Sequence, residues 1–241
     1  MARDDSEHTF LFADLCGFTA LTEVHGDEEA ADLAAEFFAD ARALLGEHGA
    51  EEVKTIGDAM MVRCDKPARA IALGLRLVQE VGARHGFPSV RVGLHTGSAV
   101  GRDGDWFGGA VNLAARVSGA AAQGEVLLTG TSAAAAGAPG GGALGAIHPH
   151  ENVALDPRGR RELRNVGEPV ELLEASCERS RSAEDLPVDP VCRMAVDPAH
   201  AAGTLVHGGV EYCFCSLDCA RQFAEVPERY ASALADGATQ K

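Results

Sequence analysis

The sequence predicts an α+β fold, with a ferredoxin-like βαββαβ core and a small cysteine-containing C-terminal domain. Segments with the apolar pattern of β-strands occur between segments with the apolar spacing of amphipathic helices. They follow the order strand, helix, helix, strand, strand, with further strand–helix units, which is typical of an α+β sandwich. Four of the seven cysteines lie within the last 50 residues, which indicates a separate small unit there.

The first half of the chain supplies the elements of this core. Residues 8–15 (HTFLFADL) are mostly apolar and predict a buried strand that ends at a carboxylate, after which Cys16–Thr19 turns the chain into a short helix. Residues 27–48 carry apolar side chains at helical spacing and predict an amphipathic helix. Gly57 and Asp58 lie between two apolar runs, which predicts a tight β-hairpin with Asp58 at its exposed tip.

The second half continues the alternation of helices and strands. Asn112 and Arg116 lie four residues apart in a predicted helix, and therefore on one face of it. The glycine-rich run Gly137–Gly145 predicts a flexible loop. In chain order we predict a helix from Pro67, a strand over 89–96, a glycine-rich passage over 97–109, the helix that carries Asn112 and Arg116, a strand over 125–129, the flexible loop, and two short strands within 161–173 that turn at 167–169.

Composition and missing motifs exclude several classes of function. The formal net charge is −15, which is opposite to the basic footprint of a nucleic-acid-binding protein. No apolar run reaches the roughly 18 residues of a membrane span, and residues 1–7 lack the apolar core of a signal peptide. We therefore expect a cytoplasmic protein without a membrane segment or a nucleic-acid partner. Neither a P-loop nor a Gly-x-Ser-x-Gly nucleophile motif occurs.

Four segments together carry a family resemblance. In this order they resemble the catalytic domain of class III nucleotide cyclases, and the resemblance extends from residue 8 to about 175. A closing segment, residues 163–172 (LRNVGEPVEL), is similar to the terminal hairpin of that family. The four segments are residues 12–19 (FADLCGFT), 54–59 (KTIGDA), 91–97 (RVGLHTG) and 104–116 (GDWFGGAVNLAAR).

The resemblance implies a metal and phosphate site at the end of the first strand. Asp14 and Asp58 match the two carboxylates that hold a pair of divalent ions, Mg²⁺ or Mn²⁺, with the backbone carbonyl of Leu15 as an added ligand. The N–H groups at a helix N-terminus suit phosphate. The residues that would supply this phosphate-binding turn are Gly17, Phe18 and Thr19.

The resemblance also implies residues that bind the rest of the substrate, ATP. Lys54 and Asp105 match the pair that reads adenine, because a lysine donates to a ring nitrogen and a carboxylate accepts from the exocyclic amine. Asn112 and Arg116 match the residues that orient the ribose and stabilise charge in the transition state. Arg164 lies where the family often has a basic residue on the triphosphate. The implied reaction is that of an adenylate cyclase, which forms 3′,5′-cyclic AMP and pyrophosphate by two-metal-ion catalysis.

In this family the active site lies at a dimer interface, with the aspartates from one subunit and the other residues from its partner. This chain carries all six residues, so the resemblance implies a homodimer with two complete sites. Two alternatives stay open. A guanylate cyclase is opposed by Lys54 and Asp105, and a catalytically silent cyclase-like scaffold that responds to nucleotide or metal is opposed by the intact set of residues.

The C-terminal cysteines occur in segments that resemble a YHS domain, a group treated as small, treble-clef-like metal-binding modules. The two segments are residues 189–194 (DPVCRM) and 211–219 (EYCFCSLDC). We predict a cyclase domain over residues 1–177, a linker over 178–187 and the YHS-like domain over 188–235.

Cys192, Cys215 and Cys219 fit the ligand spacing of that group, and Cys213 is a candidate fourth ligand. Thiolates select soft or borderline ions, so Zn²⁺, Cu⁺ and iron are the candidates. The alternative is a module whose free cysteines serve only in protein contacts. Regulation of the cyclase by this module is a separate hypothesis.

Overall fold

The computed structural model describes residues 7–147, 150–177 and 186–231, so residues 178–185 of the predicted linker lie outside the described part. The strands are β1 (Glu7–Leu15), β2 (Ala50–Ile56), β3 (Ala59–Cys64), β4 (Val90–Ser98), β5 (Val100–Arg102), β6 (Asp105–Phe107), β7 (Val126–Thr129), β8 (Gly142–Ile147), β9 (His150–Arg161), β10 (Val170–Ser176), β11 (Gly203–His207) and β12 (Val210–Phe214).

The helices agree well with the apolar spacing in the sequence. The α-helices are α1 (Phe18–His25), α2 (Asp27–His48), α3 (Pro67–Arg76), α4 (Gly109–Ala120), α5 (Gly130–Ala135) and α6 (Leu217–Glu225). Helix α2 begins and ends at the predicted residues, and α3 begins at Pro67, whose fixed φ suits a first helical position. A π-helical turn over Leu77–Val81 continues α3, and a 3-10 turn covers Pro198–His200.

The strand order confirms the predicted fold class. Eight strands form one sheet in the order β2-β3-β1-β4-β7-β10-β9-β8. Strand β1 is antiparallel to both β3 and β4, and β2 is antiparallel to β3, which is the ferredoxin-like arrangement. The C-terminal unit contains the β11–β12 hairpin followed by α6, and its description as treble-clef-like stays a prediction.

Helices cover both faces of this sheet. Leu11 on one face of β1 packs in the same core as Phe37 of α2, and α3 lies on that side too. Phe10 and Phe12 on the opposite face pack against Val111 of α4. Because side chains alternate along a strand, the next residue on the α4 side after Phe12 is Asp14.

The prediction of a flexible loop over Gly137–Gly145 is wrong for its second half. Strand β8 begins at Gly142 and pairs antiparallel with β9 at the edge of the sheet. The register shifts on both sides of Gly145, which has a φ of 70°. Gly145 therefore lies at a bulge in an edge strand. Local composition does not distinguish such a glycine-containing strand from a loop.

The terminal hairpin also differs from the two short strands predicted within residues 161–173. Strand β9 already begins at His150 and ends at Arg161, and β10 begins at Val170. Residues 162–169 connect them, so the turn predicted at 167–169 is only the end of a longer connection. The connection packs on α4, because Leu163 shares a core with Val117.

Gly93 allows α4 to approach β4 closely, and its replacement tests this packing. A β-carbon at Gly93 would lie 1.9 Å from the backbone nitrogen of Ser118. We expect Gly93→Ala to lower the free energy of unfolding by about 3 kcal/mol in chemical denaturation. Gly119→Ala is the matched control, because an added β-carbon there meets nothing within 4 Å; it should stabilise α4 by about 0.5–1 kcal/mol. Equal stabilities would contradict the close approach.

His95 makes stability depend on pH in a defined direction. Burial lowers the pKa of His95 to about 4, and its Nδ1 lies 2.8 Å from Thr129 Oγ1. In the unfolded chain a histidine has a pKa of about 6.5, so the unfolded state binds the proton first and stability is lost as the pH falls from about 6.5 towards 4. We expect His95→Gln to lose less stability over this range than the natural chain does. The exposed His200→Gln serves as the control, and an equally steep loss in both variants would contradict the prediction.

Candidate active site and metal cluster

Two carboxylates lie together at one end of the sheet. Asp14 is the second-last residue of β1, and Asp58 lies in the turn between β2 and β3, beside Ala59, which pairs with Asp14. Asp58 is half-buried rather than at an exposed tip, and this burial and the charge of Asp14 raise its pKa. Two neighbouring carboxylates, one of them half-buried, fit a divalent cation with oxygen ligands.

Arg91 of β4 holds one of these carboxylates in place. It lies opposite Asp14 in the antiparallel register, and its Nε donates to Asp14 Oδ2 at 2.8 Å. This contact was not predicted from the sequence. Alternation along β4 places Arg91 on one face, but its partner follows only from the pairing of β1 with β4.

The turn after β1 has the predicted form. Leu15 is buried, and Cys16 donates its N–H to the Ser89 carbonyl at 2.8 Å. Burial raises the pKa of Cys16 to about 12, so its thiol is neutral and behaves as a small apolar side chain. Gly17 has a φ of 72° and lies just before α1. Helix α1 then begins with half-buried Phe18 and exposed Thr19, whose backbone N–H groups start the helix.

The predicted adenine-reading pair is joined directly. Lys54 of β2 donates from Nζ to Asp105 Oδ2 at 2.6 Å, and the Trp106 N–H donates to Asp105 Oδ1 at 2.7 Å. The hydrogen bond from Lys54 lowers the pKa of Asp105. Asp105 begins β6 in the small β5–β6 hairpin, so the position of this hairpin against β2 fixes the pair.

Lys54 of this pair lines an open cleft of about 420 Å³, as does Trp106, the residue after Asp105. Asn112 on the exposed side of α4 lines the cleft, and Arg116 lies one helical turn further on, exposed and without an ion-pair partner in the described part of the chain. The cleft is lined by Phe12, Lys54, Ile56, Met61, Trp106, Phe107, Gly108, Val111, Asn112 and Ala115. Its walls are mostly apolar, as in sites that bind a flat aromatic ring.

Within one chain the contacts of the predicted site residues divide them into two groups. Asp14 and Asp58 form one, and Lys54, Asp105 and Asn112 form the other. No hydrogen bond or ion pair links these groups in the ranges that the structure describes. Arg164 belongs to neither group by any such contact there; it is exposed in the connection between β9 and β10.

Three cysteines of the C-terminal unit form a cluster with a histidine from α1. The Sγ atoms of Cys192, Cys215 and Cys219 and a ring nitrogen of His25 all lie within 4.8 Å of one another. Hydrogen bonds from the Cys192 and Cys215 thiols lower the pKa of Cys219. Cys213, the fourth ligand considered from the sequence, lies on β12 outside this cluster.

His25 and Arg193 are contributions that sequence reasoning missed. His25 is 190 residues away from Cys215 in the chain, and no local motif relates them. Arg193 follows a predicted ligand, and its side chain packs on the turn at Gly17, where a β-carbon would lie 2.5 Å from its Cγ. Only the docking of the C-terminal unit on α1 reveals either contact.

Two family profiles match this chain. The adenylate and guanylate cyclase catalytic domain family matches residues 2–167, and the YHS domain family matches residues 188–234. Both resemblances predicted from the sequence are therefore confirmed. In the described ranges no helix has the length and apolar character needed to cross a membrane.

Several known proteins are similar to parts of the chain. A pH-sensitive adenylate cyclase of Mycobacterium tuberculosis is 46% identical over 120 residues, which are 50% of this chain and 30% of that protein. An adenylate cyclase of Streptomyces griseus is 38% identical over 122 residues, 51% of this chain and 31% of that protein. The chain thus spans about a third of the length of these relatives. A structure of adenylate cyclases from Trypanosoma brucei has a TM-score of 0.62 at 22% identity, covers 76% of this chain and 95% of its own, and shows the shared fold.

Proposed function

Because the chain belongs to the family of adenylate and guanylate cyclase catalytic domains, we propose that it is an adenylate cyclase that acts as a homodimer. The observation that carries this proposal is the Lys54–Asp105 pair at the edge of an apolar cleft. The names of two relatives, both adenylate cyclases, support ATP as the substrate. The product would be 3′,5′-cyclic AMP, with pyrophosphate as the leaving group.

The pair distinguishes adenine from guanine by its donors and acceptors. Lys54 donates to a ring nitrogen of adenine, and Asp105 accepts from the exocyclic amine. Guanine presents a carbonyl where adenine has the amine, and its oxygen would face the lone pairs of Asp105. In the free chain the two side chains bind each other at 2.6 Å, so Asp105 is held next to Lys54, which lines the cleft.

Asp14 and Asp58 are the residues that would hold the divalent ions, with the Leu15 carbonyl as a further ligand. When bound, Mg²⁺ or Mn²⁺ lowers the pKa of the attacking 3′-hydroxyl and neutralises charge on the triphosphate. Arg91 positions Asp14 through its hydrogen bond at 2.8 Å. The first N–H groups of α1, which begins four residues after Asp14, would bind phosphate oxygens.

Asn112 and Arg116 act on the ribose and on the charge that develops at the α-phosphate. Both are exposed on α4, one turn apart, so both are available to a substrate in the cleft. Arg116 offers a permanent charge and a fixed fork of donors, which suits the oxygens of a pentavalent phosphorus. Arg164 is a further candidate for the triphosphate, and its exposure is compatible with that role.

Two copies of the chain are needed to complete each site. The carboxylates and the adenine-reading pair form separate groups in one chain. A twofold dimer brings the carboxylates of each copy next to the adenine-reading pair of the other copy. Large apolar side chains at the cleft support such a contact, because Ile56 is 51% exposed and Phe107 is 53% exposed.

ATP as substrate and seven free thiols also support a cytoplasmic location.

Nucleotide preference tests the proposed reaction. With Mn²⁺ or Mg²⁺, the purified chain should convert ATP in preference to GTP, measured as cyclic product. Asp105→Asn exchanges one acceptor for a donor, so the ratio of kcat/KM for ATP to that for GTP should fall by about 100-fold. Asp103→Asn, at an exposed position in the same hairpin, should leave the ratio unchanged. If neither ATP nor GTP yields a cyclic product, the proposal is wrong.

Mixing of inactive variants tests the shared sites. Asp58→Ala and Arg116→Ala should each be inactive alone, but a mixed dimer has one site with both residues intact. Random mixing makes half of the dimers mixed, so about one quarter of the natural rate should return. Asp58→Ala mixed with Asp14→Ala is the matched control, because both residues belong to the same group and no intact site can form. Recovery in the control, or none in the test mixture, would argue against shared sites.

A further inference from the structure

We propose that His25, Cys192, Cys215 and Cys219 form a single metal site that bridges the two domains. A tetrahedrally coordinated ion such as Zn²⁺ would bind the cysteines of the C-terminal module and the histidine of helix α1, and would so join the module to the cyclase domain. The new element is the ligand from the cyclase domain, in place of a fourth ligand from within the module. The experiments below measure metal binding at this site, so they do not depend on the proposed cyclase reaction.

The spacing of the four atoms fits a tetrahedral ion. Zn–S bonds of about 2.3 Å and Zn–N bonds of about 2.0 Å place two sulfurs about 3.8 Å apart and a sulfur and a nitrogen about 3.5 Å apart. Cys215 Sγ lies 3.3 Å from Cys192 Sγ and 3.7 Å from Cys219 Sγ. His25 Nε2 lies 3.6 Å from Cys215 Sγ and 3.9 Å from Cys219 Sγ. These four separations lie within about 0.5 Å of the tetrahedral values, and the other two are below 4.8 Å.

His25 has the surroundings of a metal ligand. Its side chain is only 11% exposed, and its Nδ1 lies 3.4 Å from a carboxylate oxygen of Glu29, four residues along the chain. An Nδ1–H that faces a carboxylate leaves Nε2 as the free acceptor, and Nε2 is the atom that faces the sulfurs. The same carboxylate would increase the basicity of the imidazole towards a metal ion.

A buried carboxylate holds the two cysteine-bearing loops together. Asp189 is completely buried, and its Oδ1 accepts from the N–H groups of Val191 and Cys192 at 2.8 and 3.4 Å. Its Oδ2 accepts from the Cys215 N–H at 2.9 Å. Ser216 caps the helix that carries Cys219, because its Oγ accepts a hydrogen bond from the Cys219 N–H at 3.1 Å. The three cysteines are therefore positioned by the module itself, and the docking of α1 supplies the fourth ligand.

The contact between module and cyclase domain extends beyond the cluster. Leu21 of α1 is buried in one core with Phe214 and Phe223 of the module. The Ala195 N–H donates to the Phe87 carbonyl at 3.0 Å, and the Asp197 N–H donates to His85 Nδ1 at 3.0 Å. An ion that adds a bond across this interface stabilises the docked arrangement, because undocking would remove a ligand from the metal.

Metal binding by the full-length chain tests the proposal. Co²⁺ serves as the probe, because thiolate coordination gives sulfur-to-metal charge-transfer absorption that carboxylate sites do not give, and competition with Zn²⁺ then yields the Zn²⁺ affinity. We expect one ion per chain at this site. His25→Ala should weaken Zn²⁺ binding by more than about 100-fold, which is beyond the effect of losing an outer-shell partner. Glu29→Gln should weaken it by about 10-fold.

Two controls separate ligand loss from general damage. Cys213→Ser replaces the other candidate ligand, and His85→Ala removes a different histidine that bridges the domains; both should retain the natural affinity. Zn²⁺ should also raise the unfolding temperature of the natural chain more than that of His25→Ala. Zn²⁺ affinity that survives His25→Ala and Glu29→Gln unchanged would overturn the proposal. A lower Zn²⁺ affinity in Cys213→Ser would also overturn it. So would Cu⁺ that binds tightly to the cysteines with the same affinity whether or not His25 is present.

Discussion

Helix α1 is fixed at both of its ends, and the arrangement of the two domains depends on this constraint. At its start, Gly17 has a φ of 72° and lies so close to Arg193 that a β-carbon would clash. At its end, His25 reaches the cysteine cluster. Leu21 between them is buried against the module. Eight helical residues span only about 12 Å, so a rigid, short element connects the cysteine cluster to the turn that follows Asp14.

Charge explains why this connection matters for a nucleotide site. A chain with a formal net charge of −15 repels a triphosphate, so binding needs cations at chosen positions. Lys54 and Arg116 supply two near the cleft, and Asp14 and Asp58 fit divalent ions that would supply more. Arg193 adds a positive charge beside Gly17, in the turn proposed to bind phosphate, although it belongs to the C-terminal module. The module is therefore part of the electrostatic surroundings of the proposed active site, and its docking would affect them.

Local patterns predicted the parts of the molecule that local physics determines. The apolar run before Asp14, the Gly57–Asp58 turn and the limits of α2 follow from periodicity and turn chemistry. Strand β8 was missed because its glycines resemble a loop, and it exists only through its pairing with β9. His25 was missed as a ligand because docking of two domains, rather than spacing along the chain, brings it to the cysteines. The pairing of Arg91 with Asp14 likewise needs the strand register.

Crystals of the full chain grown with Zn²⁺, Mn²⁺ and a non-cyclisable ATP analogue would test the metal site between the domains and the shared active site together. Anomalous scattering at the two metal edges distinguishes the ions. We expect zinc bonded to His25 and to the three cysteine sulfurs, and manganese at Asp14 and Asp58. We also expect an adenine ring at Lys54 and Asp105 of the second copy. Zinc bound without His25, or a nucleotide whose metal and base contacts all come from one chain, would contradict these proposals.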